Sequence, residues 1–369
     1  MNLLEILNFS KEYLEKASIE KARLESEKVL SFVLKIDRIG LYAHFDRMLF
    51  EEEKNQIKFY LKTIVEEKKS FDDIKKDLVV DENSYREENY SILNKSIEYL
   101  AKYGVPNPKL DAEYIFANAL GVNRMMLSLN LNRQISQEKK NNIRLMVMER
   151  GSKRRPLQYI LGEWEFFGNT FVVDERVLIP RNDTEILVEQ CKYILLDMKK
   201  GEVLDIGCGS GAISISLGKE LPNFNILGID ISEGALEVSE INKEINKTDN
   251  VSFRKSNIFS ELKGNKFNMI ISNPPYISEN EYDELMVEVK EYEPKMALTD
   301  GGTGISFYKK ISEESSEYLE DGGYLAFEVG YRQLDDVRAI MEKNNFIICF
   351  TGKDYSGNDR VIIGKKSGD

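Results

Sequence analysis

The sequence predicts an α/β protein. Its centre is a mainly parallel seven-stranded sheet covered by helices on both faces, preceded by a β-hairpin linker and a duplicated all-α N-terminal region. Three observations predict this. Apolar residues recur at helical spacing through the N-terminal part of the chain, and two stretches there match one another in a single register. From Gly201 onward, short β-rich runs alternate with amphipathic helices, the pattern of a sheet wound on both sides.

The helical region begins with Leu3, Leu4, Leu7, Tyr13 and Leu14, then Leu24, Val29, Leu30, Phe32, Val33 and Leu34, set between charged residues. Ile6-Leu7-Asn8 matches Ile92-Leu93-Asn94 at an offset of 86 residues (92 − 6), and the offset persists without a gap. Tyr13-Leu14 pairs with Tyr99-Leu100, Leu24 with Leu110, Glu27 with Glu113, Leu34 with Leu120, Arg38 with Arg124 and Leu41 with Leu127. Between the copies, residues 66–90 are rich in Lys, Asp and Glu and read as a solvated linker or a polar helix. Two aromatic and β-branched runs around Gly168-Asn169 read as a hairpin. Strands are expected at 203–206, 225–229, 251–254, 269–272, 324–328, 346–350 and 361–363, the last two as an antiparallel pair. Helices are expected after Gly211, after Ser232, around 281–289, after Ile305 and around 333–343. The expected domains are 1–65, a first helical copy; 66–90, a polar linker; 91–155, a second helical domain; 156–180, a hairpin linker; and 181–369, the α/β domain.

Composition narrows the chemistry. A chain of 369 residues with a formal net charge of −12 is a poor ligand for long nucleic acid, so no stable nucleic-acid partner is expected. The basic run Arg150, Lys153, Arg154 and Arg155 reads as a solvated helix end. The single histidine, His44, reads as structural, and its isolation removes Ser-His and Cys-His mechanisms and multi-histidine metal sites. Three cysteines without a CxxC pair offer neither a disulfide framework nor a zinc ribbon, and no metal is expected. No apolar run approaches the length of a membrane span and the N-terminus lacks a secretion signal, so no membrane partner and a cytoplasmic location are expected.

Two segments carry chemistry. The first strand runs into Asp205-Ile206-Gly207-Cys208-Gly209-Ser210-Gly211, where glycines let the backbone turn tightly and a ligand approach main-chain N–H groups at a helix N-terminus. This is G-x-G-x-G after an acid, not the G-x-G-x-x-G of dinucleotide enzymes. The second strand ends at Asp230, placed to accept both ribose hydroxyls of an adenosine, with Ile231 beside it. After the third strand, Asn257 is expected to hydrogen-bond the adenine, with Ile258 alongside and Phe259 covering its face.

The fourth strand ends at Asn273-Pro274-Pro275-Tyr276. Consecutive prolines fix the backbone and remove two donors, so the Asn273 side-chain oxygen and the Pro274 carbonyl can each accept one hydrogen of an incoming NH₂ group. An amide or arylamine nitrogen is weakly nucleophilic because its lone pair is delocalised. Holding both hydrogens turns that lone pair toward an electrophilic methyl group and stabilises the cation-like nitrogen of the transition state. No strong base is needed, in keeping with the scarcity of histidine.

From about Tyr90 to the C-terminus the chain resembles the release factor glutamine methyltransferase family. The resemblance rests on Arg155-Pro156-Leu157-Gln158-Tyr159-Ile160-Leu161-Gly162, Leu178-Ile179-Pro180-Arg181-Asn182-Asp183-Thr184-Glu185, the glycine loop, Asn273–Tyr276 and Asp300-Gly301-Gly302. It implies a Rossmann-like class I methyltransferase domain and S-adenosyl-L-methionine as donor, with S-adenosyl-L-homocysteine as product. The implied substrate is the glutamine of the Gly-Gly-Gln loop of class I peptide chain release factors, with the helical domain helping to recognise the factor. By the same resemblance, Asn273, Pro274 and Tyr276 are catalytic, and Asp205, Gly207, Cys208, Gly209, Gly211, Asp230, Ile231, Asn257, Ile258, Phe259 and Asn273 bind the cofactor. Asn273, Pro274, Pro275, Tyr276, Phe167, Arg181 and Glu185 bind substrate.

Two positions depart from the family pattern. Asn257 stands where an Asp is more usual, and Asn182-Asp183 replaces the usual Pro-Glu. Residues 1–65 have no counterpart in the typical member. Two alternatives stay open. A ribosomal-protein glutamine methyltransferase uses similar chemistry, although the 179–185 segment favours the release-factor branch. An adenine-N6 nucleic-acid methyltransferase would use the same Asn-Pro-Pro-Tyr logic on an arylamine, against which the net acidity weighs.

Overall fold

The computed structural model describes residues 2–354 and 356–367, with the side chains of 78–81 excepted. The chain divides into two compact units, Met1–Lys95 with Ala119–Asn141, and Ser96–Asn118 with Asn142–Asp369.

The first unit is helical. Leu3–Lys16 is opened by a reciprocal cap: the Asn2 side chain accepts from the Glu5 amide at 2.9 Å and Glu5 accepts from the Asn2 amide at 2.9 Å. Ala22–Leu34, Arg38–Ala43 and Glu51–Glu67 follow. Leu3, Leu7, Leu14, Val29, Leu30, Leu41, Ile57, Leu61 and Ile64 meet in one core, spaced at three and four residues because that is the helical period. His44 is exposed at the C-terminus of its short helix.

The helix boundaries recur. Ala22–Leu34 and Pro108–Leu120 are both 13 residues long, and their starts are 86 residues apart (108 − 22). Leu3–Lys16 and Phe71–Lys102 end at the same interval, and Glu51–Glu67 and Gln137–Ser152 begin at it. Of the polar stretch 66–90, read as a linker or a polar helix, residues 71–90 form the first part of that 32-residue helix, which continues into the second helical stretch. The expected boundaries at 65, 90 and 155 therefore do not coincide with the compact units, since the second helical stretch contributes to both.

The second unit contains the hairpin and the sheet. Strands β1 (Glu163–Phe166) and β2 (Asn169–Val172) pair antiparallel with Phe166 opposite Asn169. The turn is thus Phe167-Gly168, one residue earlier than the expected Gly168-Asn169, and both residues have positive φ (49° and 69°), as a type I′ turn requires. All seven expected sheet strands are present: β3 (Gly201–Ile206), β4 (Phe224–Asp230), β5 (Val251–Lys255), β6 (Phe267–Ser272), β7 (Leu319–Glu328), β8 (Phe346–Lys353) and β9 (Asp359–Lys366). Their order is β5-β4-β3-β6-β7-β9-β8, parallel except for β9, which runs antiparallel to β7 and β8.

Both faces of this sheet are buried. Met269 and Ile271 of β6 face Leu187, Val188 and Cys191 and their cluster, while Phe267 and Ile270 face Tyr308 and Ile311 and theirs. Helix Thr184–Leu195, absent from the expected set, supplies much of the first cluster through Leu187, Val188, Cys191 and Leu195. Chain order reverses beside β3, with β4 on one side and β6 on the other, which opens a crevice at the carboxyl ends of these strands.

Candidate active site

A cavity of about 300 Å³ occupies that crevice. Its walls include Gly207, Gly209, Asp230, Ile231, Asn257, Ile258, Asn273, Pro274 and Pro275, contributed by the segments that follow β3, β4, β5 and β6. Four segments far apart in sequence meet because parallel strands deliver their carboxyl ends to one edge of the sheet.

The glycine loop takes its shape from main-chain bonds. The Gly207 and Cys208 amides both donate to the Ile229 carbonyl, at 2.8 and 2.9 Å. The Gly209 amide donates to Asp230 Oδ2 at 3.0 Å, and Asp230 Oδ1 accepts from the Ser232 amide at 2.9 Å. The Asp230 carboxylate thus ties the loop to the end of β4. Burial pushes its pKa above the ordinary aspartate value, although the backbone donors oppose this.

The three glycines serve two purposes. Gly207 and Gly209 have positive φ, and a Cβ on either would project into open space, so they leave room at the cavity. Gly211 instead packs inward, since a Cβ there would sit 2.9 Å from Phe253 and 3.1 Å from Ser239.

The Asn-Pro-Pro-Tyr segment is held from behind. The Asn273 Nδ2 donates to Thr184 Oγ1 at 3.3 Å, Thr184 donates to Glu328 Oε2 at 2.5 Å, and the Tyr276 hydroxyl donates to Glu328 Oε1 at 3.4 Å. Gln333 donates to the Tyr276 carbonyl at 2.9 Å. Gly304 passes so close to that carbonyl that a Cβ would lie 2.2 Å from it. Glu328 is fully buried, and burial raises its pKa to about 7 against the opposing hydrogen bond from Thr184.

Several residues expected at the cofactor or substrate lie off the cavity wall. Asp205 is 0% exposed and turns inward, accepting from Ser214 at 2.6 Å, and burial raises its pKa to about 7. Cys208 is buried beneath the loop. Phe259 does not cover the cavity: Ile258 has φ 55°, and beyond that reversal Phe259 enters the core, stacked on Tyr318 at 4.4 Å and 9°. Phe307 and Ile311 supply apolar wall instead. Tyr276 points its hydroxyl to Glu328. The Phe167 amide donates to Glu185 at 2.6 Å, which braces the hairpin turn, while Arg181 pairs with the buried Glu293, which also accepts from the Ile179 amide.

The basic run at 150–155 is only partly a solvated helix end: Lys153 is exposed, but Arg150 and Arg154 are drawn into a buried ion-pair network. Arg150 is 6% exposed and bonds Asp111 at 2.6 Å and Glu288 at 3.0 Å. Arg154 also bonds Glu288, at 2.6 Å, while Lys153 and Arg155 pair with Glu149, and Arg155 with Glu175 as well.

A larger open groove of about 920 Å³ lies in the first helical stretch, lined by Arg23, Glu27, Arg38 and Tyr42 among others. Its polar groups satisfy one another: Arg23, Arg38 and Tyr42 all donate to Glu27. It carries none of the groups expected of a reactive centre, whereas the smaller cavity does.

The family described as "Methyltransferase small domain" matches residues 182–307, and the "PrmC N-terminal domain" matches residues 5–67 and 91–162. A release factor glutamine methyltransferase of Fusobacterium nucleatum is 54% identical over 339 residues, covering 92% of this chain and 95% of the relative. This chain belongs to the release factor glutamine methyltransferase family. Another member, from Geobacter sulfurreducens, is 39% identical over 274 residues, covering 74% of this chain and 95% of its own length.

Within the family's methyltransferase domain, Glu328 and Gln333 went unread in the sequence, and Thr184 was quoted without a role. Glu328 had a readable signal, since it ends β7 on the same edge of the sheet where β4 ends at Asp230 and β6 leads into Asn273. Nothing in the sequence marks Thr184 as its partner, 144 residues away.

Proposed function

We propose that this protein transfers the methyl group of S-adenosylmethionine to the side-chain amide nitrogen of the glutamine in the Gly-Gly-Gln loop of class I peptide chain release factors, leaving S-adenosylhomocysteine. The observation that carries the reading is the meeting of Asn273-Pro274 with the glycine loop and Asp230 on the walls of one cavity. The cavity suits the donor: at Gly207 and Gly209 there is open space where side chains would otherwise project, and the Asp230 carboxylate stands at the wall. Gly207, Gly209 and Asp230 would hold its amino-acid end and ribose, with Ile231, Asn257 and Ile258 around the adenine. When bound, it supplies an electrophilic methyl group.

Asn273 and Pro274 present two oxygen acceptors to the substrate amide, orient its nitrogen and stabilise the positive charge that develops there. The names of the relatives favour a release factor over a ribosomal protein. The burial of Arg150 and Arg154 in ion pairs with Asp111 and Glu288, together with the net charge of −12, disfavours a nucleic-acid substrate. The test is incubation with isotope-labelled donor in separate arms holding a class I release factor, ribosomes or DNA, followed by mass spectrometry. One methyl group on the Gly-Gly-Gln glutamine is expected. Label confined to a ribosomal protein or to adenine would refute the proposal.

A further inference from the structure

Three elements converge behind Asn273: the end of β6, the first turn of helix Thr184–Leu195 and the end of β7. Their side chains form one directed chain of hydrogen bonds. Glu328 can only accept when ionised. Its Oε2 therefore takes the Thr184 hydroxyl proton at 2.5 Å, which leaves Thr184 Oγ1 as an acceptor facing Asn273 Nδ2 at 3.3 Å. The amino end of the Asn273 amide is thereby fixed toward the protein, and its oxygen is the end left to accept. A side-chain amide has nearly the same shape in either orientation, so hydrogen-bond partners alone decide which end faces the cavity.

We infer that Thr184 and Glu328 are positioning residues that set the direction of the Asn273 amide, so that it offers an acceptor and not a donor to the substrate. This rests on the proposed role of Asn273. Tyr276 belongs to the same device, because its hydroxyl occupies the other oxygen of Glu328 at 3.4 Å. Tyr308 fixes the backbone there, donating to the Glu328 carbonyl at 2.9 Å. All of this lies in one compact unit.

The charge on Glu328 determines the direction. Burial raises its pKa to about 7; the hydroxyls of Thr184 and Tyr276 and the nearby Arg360 oppose the rise, and Asp183 adds to it. Above that pH the carboxylate accepts from Thr184 and the chain has one direction. Below it the acid carries a proton of its own, Thr184 is freed to donate to the Asn273 oxygen, and the amide can turn its NH₂ group to the cavity. Transfer therefore falls as pH drops through about 7. Asp205 titrates in the same range on the cofactor side, so its contribution persists when Glu328 is replaced.

The experiment measures kcat for transfer to a release factor at saturating donor across pH, with donor affinity measured by calorimetry and melting temperature recorded. Thr184→Val should lower kcat on the order of tenfold to a hundredfold with donor affinity unchanged, as misorientation of a reacting group does. Thr184→Ser should restore most of the rate. Glu328→Gln should lose the Glu328 part of the acid limb. Wild-type kcat in Thr184→Val, equal loss of kcat and donor affinity, or an unaltered acid limb in Glu328→Gln overturns the inference. If the wild-type protein transfers nothing to the release factor, the proposed substrate is wrong, and the Asn273 side-chain NH₂ resonances (assigned by their loss in Asn273→Ala) decide the network. A pH-dependent shift that disappears in Glu328→Gln upholds it; a shift independent of pH overturns it.

Discussion

Residues 1–65 and 91–155 bury matching positions, yet they differ at one pair that changes what each stretch is tied to. Leu14 and Leu100, Val29 and Ile115, Leu41 and Leu127, and Ile57 and Ile143 are each buried at the same offset. So are the acids Glu25 and Asp111, at 5% and 7% exposure. Opposite the acid, the first stretch has Ile64 and the second Arg150. Glu25 instead accepts from the Phe71 amide at 2.5 Å and from Lys28 at 2.9 Å. Asp111 accepts from Arg150, which reaches Glu288 of the methyltransferase domain together with Arg154. Buried charge is tolerated only when paired, so the arginine needs both acids and each acid needs a cation. At this position the first stretch carries an apolar residue and the second an arginine that ties Asp111 to Glu288 within the catalytic unit. We propose that the two stretches are copies of one helical unit, of which the second is integral to catalysis. The match of one family to both segments supports this.

The comparison can be broken by three substitutions. Trp164, the single tryptophan, packs on Tyr114 at 5.4 Å in the catalytic unit, so its fluorescence follows that unit while circular dichroism follows the whole chain. Arg150→Met should have the largest effect, destabilising the Trp164 transition by about 3–5 kcal/mol, the usual cost of leaving a buried partner unpaired. Burial already raises the Asp111 pKa despite Arg150, so this loss should shrink at acid pH, where Asp111 is neutral. No shift of the fluorescence midpoint in denaturant would show that the network is dispensable.

Ile64→Ala, at the equivalent position of the first copy, should cost roughly 2–4 kcal/mol through the cavity it leaves. The loss should appear in circular dichroism while the Trp164 transition stays in place; coincident shifts in both signals would unite the copies in a single cooperative unit. Glu25→Ala should have the smallest effect, about 1–2 kcal/mol for one buried amide left without its acceptor, again confined to the dichroism signal. Calorimetric donor affinity should be unchanged in both first-copy variants.

The sheet was legible because strands buried on both faces are short, continuous β-rich runs, and their alternation with helices marks a mainly parallel sheet. Starts were less so. β7 begins at Leu319, not at 324, because Glu320-Asp321-Gly322-Gly323 looks like a turn in sequence, and pairing with β6 is irregular there. The glycine loop, Asp230 and the Asn-Pro-Pro-Tyr segment were legible as local patterns. Phe259 was misjudged because side-chain direction depends on the backbone reversal at Ile258, which no residue type announces. Arg150 was misjudged because its partner Glu288 lies 138 residues away. Chemistry held within one segment shows in the sequence; chemistry shared between segments shows only in the fold.

The central claim is that Asn273 acts on the transition state of an amide methylation. The most direct test is kcat of Asn273→Ala on a class I release factor under saturating donor, set beside calorimetric donor affinity. The account predicts a fall in kcat on the order of a hundredfold or more, as when a preorganised polar group is lost, with donor affinity changing far less. Wild-type turnover in Asn273→Ala would contradict it.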